Sequence, residues 1–167
     1  MRWDVRPFIG LGPIAFGMTE AEVAQVASVL APVRARQVDA TGIITEHRGL
    51  EDPSISYKNG KVVYLAVGYL TADVIWADLD IFQRDAKSVL QSFENANGGA
   101  EAGLGAISFA NLGIDTNGFY FPKTKRFFRP GSREQDDRTL SLYERELYHE
   151  TRKDLASHFR PISFLKK

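Results

Sequence analysis

Val23, Val26, Ala27 and Leu30 fall at i, i+3, i+4 and i+7, which gathers four apolar side chains on one face of a helix over 19–31. Thr19 stands where an N-cap is needed, and Glu22 three residues on completes a capping box. The short apolar run from Ile14 to Phe16 enters this helix through Gly17, and Pro32 stops it. The same spacing returns at Ala86, Val89, Leu90 and Phe93, which predicts a second helix over 84–96, closed by Asn97-Gly98-Gly99. Between the helices apolar positions alternate instead. Asn59-Gly60 has the chemistry of a two-residue turn with both residues at positive φ, so 54–69 reads as a hairpin. Counting from that turn puts Ile55, Tyr57, Val62, Tyr64 and Ala66 on the face toward the helices. The other face is mixed, with Ser54, Ser56 and two lysines beside Val63, Leu65 and Val67. Such a face is covered by the chain's own segments, is relieved by a bulge that shifts the register, or is exposed as a partner site.

The segment 73–82 also alternates. Ile75, Ala77, Leu79 and Ile81 stand against Trp76, Asp78 and Asp80, so an extended strand would place one aromatic and two carboxylates on a shared exposed face. Short strands are expected over 107–110 and 113–116, with Asn117-Gly118 as a second hairpin turn and 119–121 as the returning strand. The basic and aromatic run 123–129 reads as an amphipathic hairpin, rings inward, with phosphate or RNA binding as the alternative. Leu140 and Leu142 alternate with Thr139, Ser141 and Tyr143, which favours a strand to about 146. Thr151 and Asp154 then suit the cap of a short helix to about 159.

Each half of the chain therefore runs from an extended apolar segment to an amphipathic helix and then to strands with an Asn-Gly turn. The expected fold class is α+β, an antiparallel sheet with helices packed on one face, arranged as a tandem helix-plus-hairpin repeat. The expected organisation is one domain over 1–167, or two fused half-units over 1–72 and 73–167.

Composition narrows the function. The chain has 167 residues and is 44% hydrophobic, enough for a sizeable core. Lysine plus arginine equals aspartate plus glutamate, 21 each, so the excess cation that general nucleic-acid binding needs is missing. With no cysteine, disulfides, thiolate metal sites and cysteine nucleophiles are excluded. No apolar run spans a bilayer and the first residues carry no signal core, so a cytoplasmic protein is expected.

Reactive groups do not converge. His47, His149 and His158 have no metal-binding spacing, and no serine or threonine sits in a nucleophile elbow. Gly98, Gly99, Gly103 and Gly105 lead into a strand rather than a helix and lack the lysine of a phosphate loop. The expectation is a protein without cofactor or metal that is not an enzyme. The alternative is a small-ligand binder or enzyme with its site in the 119–149 region, and a third reading is an assembly module.

The stretch Ile14-x-Phe16-Gly17-Met18-Thr19-x-x-Glu22-Val23 resembles the opening motif of the SmpA/OmlA (BamE-type) small lipoprotein domains. The tandem layout is similar to that of β-lactamase-inhibitory proteins, and the length, layout and lack of cysteine resemble bacterial immunity proteins. The chain lacks the lipobox cysteine of the lipoproteins, so the resemblance implies partner binding rather than membrane anchoring. It implies an intracellular protein that neutralises a cognate toxin by occluding its active site. The residues expected to make contact are Trp76, Asp78 and Asp80, with Asp73, since carboxylates on a rigid strand mimic phosphate and tryptophan anchors interfaces.

Overall fold

A computed structural model describes residues 1–165. In chain order its first half contains β1 (Trp3–Arg6), β2 (Gly10–Leu11), β3 (Ile14–Ala15), α1 (Glu20–Val26), β4 (Ala35–Val38), β5 (Ile44–His47), β6 (Ser54–Lys58) and β7 (Lys61–Gly68). Then follow β8 (Val74–Trp76), β9 (Leu79–Asp80), α2 (Ala86–Asn97), β10 (Ala100–Gly103), β11 (Ala106–Phe109), β12 (Ile114–Asn117), β13 (Tyr120–Phe121) and β14 (Arg126–Phe127). The chain closes through β15 (Thr139–Tyr143), α3 (Arg145–Lys153), a 3-10 turn (Ala156–His158) and β16 (Arg160–Ile162).

Sheet dominates. A nine-stranded antiparallel sheet runs in the order β16-β10-β11-β12-β15-β7-β6-β5-β4, and a five-stranded sheet runs β3-β2-β1-β8-β9. This corrects the expected α+β class of helices packed on a sheet. α1 holds only seven residues and α2 twelve, and the small five-stranded sheet shares with them the cover of the large one. The physical reason lies in 1–16 and 73–80, where glycine and turn residues break the apolar runs into strands of two to four residues that pair with each other. One apolar cluster takes in Trp3, Leu11, Val23, Ile55, Leu65, Phe93, Ile114 and Leu142, so residues from both halves bury the same core.

Local signals set the helices. Thr19 Oγ1 accepts from Glu22 N at 3.3 Å, and Thr19 N donates to Glu22 Oε2 at 2.8 Å. Thr19→Ala removes that reciprocal cap and is expected to cost about 1 kcal/mol in thermal denaturation, with Thr19→Ser retaining most of it. Asp85 caps α2, and Gly98 ends it in the left-handed region at φ 82°. α2 buries Ala86, Val89, Leu90 and Phe93, the residues its spacing picked out.

Three features differ from the expected faces and ends, the first of them through the register-shifting bulge that the mixed face allowed for. Asn59 and Gly60 form the expected turn at positive φ, and Lys58 faces Lys61 and Tyr57 faces Val62. Val63 is then an extra residue, because Ser56 pairs with Tyr64 and Ile55 with Leu65. The bulge moves Leu65 and Val67 to the core face and turns Tyr64 and Ala66 to the other. The Val63 carbonyl accepts from Glu144 N at 2.8 Å, which ties the bulge to the residue that caps α3. Asn117-Gly118 makes no hairpin with 119–121. β12 already has β11 on one edge and β15 on the other, so 119–127 leaves the sheet as the β13–β14 hairpin. The strand expected over 138–146 ends at Tyr143, and helix begins at Arg145 on a Glu144 cap rather than at Thr151.

Candidate functional site

The register of the large sheet defines two faces. Ile55, Leu65, Leu142, Ile114 and Phe109 lie in line on the face that meets α2 and the small sheet. On the other face the corresponding line is Glu101, Ser108, Asp115, Ser141, Ala66 and Ser54, contributed by six adjacent strands. Beside it Tyr143 pairs with Tyr64, and Tyr64 with Ser56. α3 crosses this outer face. It buries Tyr148 there and brings Arg152 to Ser108 and Glu101.

Asp115 is the centre of the cluster. Its strand neighbours are engaged elsewhere: Ser141 is bonded to the Tyr64 hydroxyl at 2.7 Å, and Ser108 to the Tyr148 hydroxyl at 2.9 Å and to Arg152 at 2.6 Å. Asp115 Oδ1 is buried and has no hydrogen-bond partner among the described residues. Burial pushes the Asp115 carboxyl above its ordinary range, and the nearby Ser108 hydroxyl, Arg152 charge and Tyr143 hydroxyl offset only part of that. The Tyr143 phenol is raised by burial and then by the Asp115 charge. The rings stand edge to face, Tyr64 against Tyr143 at 4.9 Å between centroids and Tyr143 against Tyr148 at 5.5 Å. Arg152 packs its guanidinium 3.5 Å from the centre of the Phe159 ring and pairs with Glu101 at 3.2 Å.

The residues singled out from sequence sit elsewhere. Ala77 and Asp78 both have positive φ, so 73–82 is a tight β8–β9 hairpin rather than one extended strand. Trp76 pairs with Leu79 and Ile75 with Asp80, which separates Trp76 and Asp80 onto opposite faces. Trp76 Nε1 donates to Ser92 Oγ at 3.0 Å and its ring stacks on Phe93 at 5.0 Å, so the indole packs against α2. Asp80 Oδ1 accepts from Phe82 N and Gln83 N and shapes the entry to α2. Asp73 and Asp78 are exposed, and both act with Asp4 on the Arg2 guanidinium, which Asp4 chiefly holds above its ordinary value. The four residues expected to make contact therefore do not share one face.

The expected alternatives find these surroundings. His149 is exposed on α3, and His47 bonds Ser54 Oγ and Gln37 Oε1 on the outer face. In the 119–149 region a cleft of about 590 Å³ lies between the β13–β14 hairpin and Asn117, lined by Tyr120, Phe121, Arg126 and Glu134. Among the described residues no three of histidine, cysteine, aspartate and glutamate are grouped to hold a metal. No helix among them is long and apolar enough to cross a membrane.

Sequence reading missed the outer-face residues Tyr64, Ser108, Asp115, Ser141, Tyr148 and Arg152. The alternation of Leu140 and Leu142 with Ser141 and Tyr143 was one available signal, since it marks a polar side to that strand. The fold and cluster define a sheet-dominated protein with one face sealed and the other bearing half-exposed polar and aromatic side chains. No family model, no curated protein and no solved structure matches the chain.

Proposed function

We propose that this chain is a protein-binding module of the immunity or inhibitor type, acting inside the cell that makes it and occluding the active site of a cognate toxin. The observation that carries the reading is the inequality of the two sheet faces. One is closed by apolar packing, while the other, beyond the strip that α3 covers, holds Tyr64, Tyr143, Asp115, His47 and Thr45 partly exposed on a nine-stranded platform. Tyrosine supplies large contact area at low entropic cost, and small residues such as Ala66 and Ser54 let a partner approach the strands closely. The resemblance of 14–23 to the opening motif of BamE-type domains, and of the length and lack of cysteine to immunity proteins, supports the same class.

Two surfaces compete for the contact, the outer face and the exposed carboxylates of Asp73 and Asp78. Immobilised protein used to capture partners from the native lysate separates them. Ala66→Arg places a long charged side chain in the centre of the outer face and is expected to cut capture at least about tenfold, whereas Asp73→Asn with Asp78→Asn leaves it within about twofold. Loss that follows the aspartates instead assigns the contact to the β8–β9 hairpin and overturns the outer-face reading. A partner retained equally by all variants, or none enriched over an inert protein, counts against partner binding through either surface.

A further inference from the structure

We propose that Asp115 and the tyrosines around it form a receptor for a basic side chain of the partner, a lysine ammonium or an arginine guanidinium. This rests on the outer-face reading above and specifies the chemistry that the partner brings.

The argument starts from hydrogen bonds that are already made. Ser108 and Ser141, which face Asp115 from the adjacent strands, are committed to Tyr148, Arg152 and Tyr64. The nearest cation of the chain is also committed, since Arg152 is held by Glu101, Ser108 and the Phe159 ring and makes no ion pair with Asp115. Asp115 Oδ1 is thus left without a hydrogen bond and the carboxylate without an ion pair, and the Ser108 hydroxyl, Tyr143 hydroxyl and Arg152 charge nearby offset only part of the cost of burying it. What surrounds it suits a cation. Tyr64 and Tyr143 both couple electrostatically to Asp115, and their rings offer cation–π attraction once the site is desolvated. Asp115 is partly exposed, and Ala66, opposite Ser141 in the register, carries only a methyl group beside it. An anionic group would meet Asp115 and Glu101, and an apolar one would leave Oδ1 unpaired.

Protonation gives the site a pH dependence. The groups facing Asp115 are Glu101 from β10, Tyr64 from β7, Tyr143 from β15, and Tyr148 and Arg152 from α3. Burial raises the Asp115 carboxyl, so it loses its charge at a higher pH than an ordinary carboxylate. Cation binding therefore weakens as pH falls through that raised value, while the amine or guanidine keeps its proton throughout.

The test uses small cations on the whole chain. N-ethylguanidinium chloride, n-butylammonium chloride and the neutral N-ethylurea are titrated into labelled protein while the Asp115 carboxyl carbon and the Tyr64 and Tyr143 rings are followed by NMR. At least one cation is expected to give saturable shifts at all three residues, with N-ethylurea giving none and Asp115→Asn weakening the response at least about tenfold. Asp115→Asn removes a carboxyl whose burial disfavours its charge, so the variant is expected to fold. No saturable response, equal response in Asp115→Asn, or a urea that matches the cations overturns the receptor. A chain that loses capture on Ala66→Arg yet ignores both cations keeps its docking face and loses this site alone.

Discussion

Phe93→Ala lowers the unfolding free energy by about 3–5 kcal/mol, read as a fall in the urea midpoint with little change in slope. Phe93 is fully buried on α2. Its ring stacks on Trp76 at 5.0 Å and leans on Phe109 at 5.2 Å, so it joins the β8–β9 hairpin, the helix and the large sheet at one point. Truncation leaves a void between three elements, none of which can move in without giving up other contacts. A loss under about 1.5 kcal/mol would mean that Trp76 or Phe109 relaxes into the gap, and that α2 is held by its caps and by Val89 and Leu90 instead.

Asp136→Ala is expected to cost a similar amount, about 3–5 kcal/mol, for an electrostatic reason. Arg138 is buried at 4% exposure, with Nε 3.0 Å from Asp136 Oδ1 and Nη2 2.8 Å from Oδ2. The guanidinium lies 4.4 Å from the centre of the Phe128 ring and near Phe119 and Phe82, which hold it but cannot neutralise it. Without the carboxylate a charge stays buried and unpaired. The double variant Asp136→Ala, Arg138→Met removes that charge as well, so it should recover most of the loss. If the single and double variants are equally destabilised, the loop conformation of 129–137 matters more than the ion pair.

These elements show where sequence was informative. The cap of α1, the face of α2, the Asn59-Gly60 turn and the strand at 139–143 each depend on neighbours within a few positions, and each was legible. What was not legible depends on partners far along the chain. The mixed face of 54–69 allowed for a bulge, but its place at Val63, whose carbonyl accepts from Glu144 N beside α3, depends on a partner about eighty residues away. Asn117-Gly118 has hairpin chemistry, yet both edges of β12 are filled by β11 and β15. Ala77-Asp78 turns the chain without the usual asparagine and glycine, so alternation carried the reading straight through it. The candidate site suffered most. Alternation marks Ser108, Asp115 and Ser141 as lying off the core face of their own strands, but only the strand order places them side by side.

The pairing of β7 with β15 also governs how the molecule is made. Thr139 meets Gly68 across about seventy residues of chain, and sequence-distant closures of this kind slow folding. A ribosome that has released only the first meander leaves the edge of β7 bare, with Leu65 and Val67 in reach of another nascent copy. Chaperone dependence during synthesis, rather than fragility of the finished product, is where this architecture is most exposed.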